Sequence, residues 1–270
     1  MPCRDRPGAG ALVALACAAI LTGCGGSSDR DALRAYIEKA NAIQRQGTPG
    51  VQAANRAYAD FSRGKLAGAA AVASLTAAAD TLRALRDQLA GLGAPPEART
   101  LRRRLLGLFD ADVGLAGEAL ALAAYVPAAR AALAPLPAAG LQLRDALAGA
   151  RTPPQQQLAL RGYGRALGRL EARMRRLQPP PVLVASYRSQ LLRLATAREL
   201  TVRLRAAIGA RDAALVARLL LRFRAVNNSP GASVGVQRAA VRAYRRRVSA
   251  VGAAAAAAQR EEARLNQVVH

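Results

Sequence analysis

The sequence predicts an all-α fold, a helical bundle built from two similar helix–proline break–helix units with further helices at either end. Three observations predict it. The chain is rich in Ala, Leu and Arg, aromatic residues make up 3% and tryptophan is absent; Ala, Leu and Arg are among the best helix formers. Leu75, Leu82, Leu85, Leu89 and Leu92 recur at three-, four- and seven-residue spacings, the signature of one buried helix face. Proline pairs at Pro95-Pro96 and Pro180-Pro181 separate leucine-rich stretches, and proline suits the first turn of a helix but not its interior. No run of alternating β-branched residues argues for a sheet.

Taken in order, a helix is expected over about 31–46, with Asp29 or Asp31 near its cap. Gly47-Thr48-Pro49-Gly50 is expected to break it. A second stretch follows, with Val51, Asn55, Tyr58 and Phe61 or Ser62 on one face and a soft break at Arg63-Gly64. Residues 67–92 read as the next helix. After Gly93-Ala94-Pro95-Pro96 another runs through Leu101, Leu105, Leu108 and Phe109 toward Tyr125, to be kinked or ended by Pro127, Pro135 and Pro137. A short helix over 140–147 precedes a loop at Thr152-Pro153-Pro154. Helices over 155–177 and about 182–208 flank the break at Gln178 to Pro181. Arg211-Asp212 reads as a tight junction before a shorter helix to Val226. Asn227 to Gly231 reads as a loop, and a last helix runs from Val234 past the alanines at 253–258 to about Leu265.

Two segments, 82–122 and 167–208, resemble each other. Leu82, Leu85, Leu89, Leu92, Pro95 and Pro96 match Leu167, Leu170, Met174, Leu177, Pro180 and Pro181 at a constant offset of 85. Beyond the prolines the offset becomes 86, so Leu101, Leu105, Leu106 and Leu108 match Tyr187, Leu191, Leu192 and Leu194. The stripes then end on opposite charges, Asp112 in one copy and Arg198 in the other. If the hairpins pack about a pseudo-twofold axis, these two meet. The alternative is that both face water at the rim.

The N-terminus has a different character. Arg4 and Arg6 precede an apolar run over 9–21, then Leu21-Thr22-Gly23-Cys24 and a short Gly/Ser stretch. A helix needs about 20 apolar residues to span a bilayer, so the run has the length of an export signal instead. Leu21-Thr22-Gly23-Cys24 resembles the lipobox of bacterial lipoproteins. The resemblance implies that residues 1–23 are removed, that Cys24 is acylated on its thiol, and that residues 24–30 tether the helical domain at 31–270 to the membrane. Cys3 and Cys17 fall in the discarded piece. The mature chain then has no disulfide and no cysteine metal site, and its fold rests on core packing. The leucine-rich helix, the Ala-Pro-Pro-Glu-Ala-Arg break at 94–99 and the arginine-rich helix after it resemble domains of actinobacterial lipoproteins. That resemblance implies an exported helical lipoprotein and no particular chemistry.

The chain carries 40 basic and 17 acidic residues, a formal charge of +23. Only Lys39 and Lys65 are lysines. Such a chain is drawn to anionic lipid or envelope polymers. Export and the even spread of arginine argue against nucleic acid. A GC-rich genome also gives this excess of arginine over lysine without any functional demand.

The sequence offers no complete catalytic constellation. The one histidine, His270, is at the end of the chain, so neither a Ser-His-Asp triad nor a Glu-x-x-His di-iron site can be assembled. Gly-x-Ser-x-Gly spacing occurs once, at Gly231-Ala232-Ser233-Val234-Gly235, beside the expected loop and with no strand before it to form a nucleophile elbow. There is no phosphate-binding Gly-x-x-x-x-Gly-Lys. Asp110 and Asp112 face different sides of a helix, and Glu261 and Glu262 sit in a polar tail. Tyr58, Tyr125, Tyr163 and Tyr187 read as packing residues, and Arg245-Arg246-Arg247 as a solvated run. No cofactor or metal is expected. The leading expectation is a lipid-anchored, non-enzymatic binding or scaffolding protein of the cell envelope. A solute-binding lipoprotein with its ligand between the two hairpins is the second, and an envelope enzyme the third.

Overall fold

The computed structural model describes residues 28–228 and 234–269. These residues form eight α-helices, two one-turn 3-10 segments and no strand. The helices are α1 Ser28–Ser62, α2 Gly68–Gly91, α3 Arg99–Leu133, α4 Leu136–Gly149, α5 Pro153–Arg175, α6 Val184–Gly209, α7 Ala213–Asn228 and α8 Val234–Val269. The expected all-α class is what the chain adopts. The described residues divide into two compact units, one of residues 28–120 with 245–269 and the other within 121–244.

In the first unit, α1, α2, the first part of α3 and the end of α8 enclose one core. Leu33, Ile37, Leu82, Leu89, Leu105 and Leu265 are among its buried residues. The helix α1 corrects two expectations. It begins at Ser28, inside the stretch read as tether, with Asp29 and Asp31 in its first turn, where carboxylates suit the positive end of the helix dipole. It also runs unbroken through Gly47-Thr48-Pro49-Gly50. The reason lies in packing. A Cβ placed on Gly47 would sit 3.3 Å from the Phe109 ring and 3.5 Å from Leu85, and one on Gly50 would sit 3.7 Å from Thr81. The missing side chains let α1 lie close to α2 and α3. The packed face continues through Val51 and the buried Ala54 and Ala57, with Asn55 and Tyr58 half-buried beside it.

The soft break at Arg63-Gly64 is real. Gly64 has φ +71°, its N–H donates to the Phe61 carbonyl at 3.0 Å, and the Lys65 N–H donates to Asp60 at 2.8 Å. This is a left-handed helix C-cap, the place where glycine costs least.

The second unit packs α4 on α5, α5 on α6 and α6 on α7. Its core includes Leu160, Tyr163, Leu167, Met174, Leu194 and Leu204. The proline breaks behave as expected and alike in both units. Pro96–Ala98 and Pro181–Leu183 each form a single 3-10 turn leading into the next helix. Pro127, in contrast, lies within α3, while Pro135 precedes α4. The short helix expected over 140–147 is longer, at Leu136–Gly149.

The offset of 85 holds for α2 and α5, where Leu75, Leu82, Leu85 and Leu89 are buried and so are Leu160, Leu167, Leu170 and Met174. The offset of 86 does not carry over to α3 and α6. Leu101 and Leu105 are buried, whereas Tyr187 and Leu191 are only half-buried and Leu192 is 69% exposed. The buried stripe of α6 runs through Gln190, Leu194, Ala197, Thr201 and Leu204. Glycine again explains the shift. A Cβ on Gly164 would lie 2.9 Å from Thr201 Oγ1, and one on Gly168 would lie 3.8 Å from Arg198 Cδ. Gly164 admits Thr201 and Gly168 the stem of Arg198, and that close approach sets the rotation of α6.

The α6–α7 junction ends on Arg211 at φ 55°, the one described non-glycine residue with positive φ. Asp212 N–H donates to the Ala207 carbonyl at 3.0 Å, and Asp212 Oδ1 accepts from Leu215 N–H at 2.9 Å. A side chain in the left-handed region costs about 1 kcal/mol. Arg211→Gly is therefore expected to stabilise the chain by up to about 1 kcal/mol, measurable as a rise in urea midpoint. A fall in the midpoint would mean that the arginine side chain contributes more than the turn costs.

Candidate functional site

The lipobox residues Leu21, Thr22, Gly23 and Cys24 lie outside the described residues, as does His270. Asp112 and Arg198 belong to different units, and each has its own surroundings. Asp112 is half-buried on α3, and burial pushes its carboxyl up to about 6. Arg198 is exposed on α6, with its guanidinium 3.4 Å from the Glu171 carboxylate of α5.

Glu171 is buried, and its Oε1 also accepts from Arg175 at 2.6 Å and 3.1 Å. A buried carboxylate held by two arginines fixes helix register more than it adds stability, because desolvation offsets the attraction. The first unit has comparable features. Glu118 is buried and paired with Arg247, and buried Glu262 accepts a 2.6 Å hydrogen bond from Asn41. The Arg245-Arg246-Arg247 run is thus not wholly solvated, because its last member reaches a buried acid. Among the described residues no group of three or more His, Cys, Asp or Glu is placed to hold a metal.

Of the tyrosines read as packing residues, Tyr163 is buried and Tyr58, Tyr125 and Tyr187 are half-buried. The Tyr163 ring meets Phe223 edge-on at 5.9 Å between centroids. Burial is also the main cause that raises its phenol above the ordinary tyrosine value, and Arg193 opposes it.

Tyr163 also lines two cavities of the second unit. The smaller, about 210 Å³, lies among Leu136, Gly140, Leu167, Arg193 and Leu194. The larger is a groove of about 680 Å³ between α4 and α5. Its lining includes Ala139, Leu143 and Ala146 from α4 and Ala159, Gly162 and Ala166 from α5. Arg165 and Arg169 also line it, and no carboxylate does. The volume is within the range of about 300–1,000 Å³ usual for small-molecule sites.

The short connection at residues 150–152 makes α4 and α5 antiparallel neighbours. Gln155 Oε1 secures the start of α5 by accepting from the N–H groups of Arg151 and Thr152 at 2.8 Å and 3.1 Å. The antiparallel arrangement sets Arg165 and Arg169 opposite the first turns of α4 and leaves the Leu158 end uncharged. Sequence patterns alone do not reveal this groove. Its one signal is the row of arginines at 161, 165, 169 and 173 along one edge of α5, with glycines between them.

No protein-family model matches the chain, and neither a curated protein nor a solved structure matches it.

Proposed function

We propose that the chain is a lipid-anchored, non-enzymatic protein of the outer face of the cytoplasmic membrane, with a binding or scaffolding role there. The observation that carries this reading is the N-terminal sequence: a basic start, an apolar run over 9–21 and Leu21-Thr22-Gly23-Cys24. Cys24 is the acylated residue, and the helical units stand on the membrane through it. The arginine-rich helical surface supports a role beside anionic lipid or envelope polymers, since each exposed arginine near an anionic surface contributes about 1 kcal/mol. Nucleic acid is not the partner in this reading, because the protein acts outside the cytoplasm.

Two acyl chains on Cys24 supply on the order of 20 kcal/mol at about 0.8 kcal/mol per buried methylene, which is in effect permanent attachment. Cys24→Ser is expected to remove the lipid and release the protein from washed membranes in high salt. A Cys24→Ser protein that stays with the membrane under those conditions would place the anchor elsewhere.

A further inference from the structure

We infer that the groove between α4 and α5 is a binding site for a single-chain anionic amphiphile, a long acyl chain ending in a carboxylate. The acyl chain lies along the alanine and leucine floor, and the head group sits between Arg165 and Arg169. The inference rests on the groove alone and stands whether or not Cys24 carries a lipid.

Four observations carry it. The first is charge. Arg165 and Arg169 are exposed, line the groove and make no ion pair or side-chain hydrogen bond among the described residues. They are four residues apart on a helix, so they stand side by side, and paired guanidinium groups suit a carboxylate. The carboxylates of the two helices are otherwise engaged. Glu171 is buried against Arg175 and Arg198, and Asp145 lies beside Arg144 and does not line the groove.

The second observation is polarity along the groove. The cations sit toward one end, and the lining beyond them is alanine, glycine, leucine, glutamine and the one tyrosine, Tyr163, with no charge. A ligand with one charged end and one apolar tail matches that division. An acidic helix, with charges spaced along its length, does not.

The third is shape. From Gln155 to Arg169 the groove follows α5 for about 20 Å at 1.5 Å per residue, the reach of a long acyl chain. The fourth is Leu158, which lines the uncharged end and is 61% exposed; an acyl tail covers it.

The glycine at 162 allows a direct test. A Cβ there meets no atom within 4 Å and Gly162 lines the groove, so the side chain of Gly162→Leu starts in open groove, and leucine is the better helix former. The full chain carrying Cys24→Ser, which bears no acyl group of its own, is labelled with a diazirine analogue of hexadecanoate. The cross-linked peptides are then identified by mass spectrometry. The label is expected on residues 139–150 and 155–169. Unlabelled hexadecanoate is expected to compete and hexadecan-1-ol to compete at least tenfold more weakly. Arg165→Ala with Arg169→Ala is expected to weaken binding at least tenfold, and Gly162→Leu to abolish it while the circular dichroism stays helical. Labelling confined to other residues would overturn the assignment. So would equal competition by the alcohol, full labelling of Gly162→Leu, or displacement of the label by an acidic amphipathic peptide but not by hexadecanoate.

Discussion

Leu194→Ala is expected to destabilise the chain by about 3–4 kcal/mol, and Leu192→Ala, two residues away on the same helix, by less than about 0.5 kcal/mol. Leu194 is 2% exposed inside the core of the second unit, and Leu192 is 69% exposed. Truncating a buried leucine removes its transfer free energy and leaves a cavity that the surroundings fill only in part. Truncating an exposed one removes neither. The pair of variants tests the register of α6, because pairing Leu106 with Leu192 at an offset of 86 would place Leu192 at the edge of the apolar stripe. Urea unfolding followed by far-UV circular dichroism gives both values. Equal losses at the two positions would mean that α6 is rotated from the orientation described.

Asp112→Asn is expected to raise stability at pH 7 by about 2 kcal/mol, with the gain gone by pH 4. The cause is the burial that lifts the Asp112 carboxyl from 3.8 to about 6. A folded-state value above the unfolded one means that folding disfavours the ionised form. The cost is absent below about pH 4, where the acid is protonated in both states. It grows as pH rises and is complete above about pH 6. Each tenfold difference in proton affinity between the folded and unfolded states corresponds to about 1.4 kcal/mol, and the residual contact of this half-buried group with water reduces the total. Asparagine keeps the shape and removes the ionisation. The check is the difference in urea midpoint between wild type and variant across pH 4 to 7. A variant less stable than wild type at pH 7 would mean that the carboxylate is paired with a cation.

The helix class and the proline turns were legible because they follow from local chemistry. Leucine spacing marks a helix face, and Pro96 and Pro181 open the next helix in either unit. The C-cap at Gly64 and the junction at Arg211-Asp212 were legible for the same reason. What the sequence concealed came from tertiary contact. Gly47 and Gly50 read as a break, yet they are a contact surface against Phe109, Leu85 and Thr81, and helix packing overrides the weak local preference. In α6 the large side chains suggested a stripe through Tyr187 and Leu191. Those two pack only at the edge of the core, while Ala197 and Thr201 are buried, Thr201 in the room that Gly164 leaves. The groove was concealed for a related reason. It is a property of two helices together, and the arginine row on α5 says nothing by itself of the floor that α4 supplies.

Acylation of Cys24 as the first residue of the mature protein is tested most directly by the intact mass of protein extracted from membranes. The expected mass is that of a chain beginning at Cys24 and carrying a diacylglyceryl group. Fragment ions should place that group on residue 24. A mature N-terminus at any other residue, or an unmodified Cys24, would contradict it.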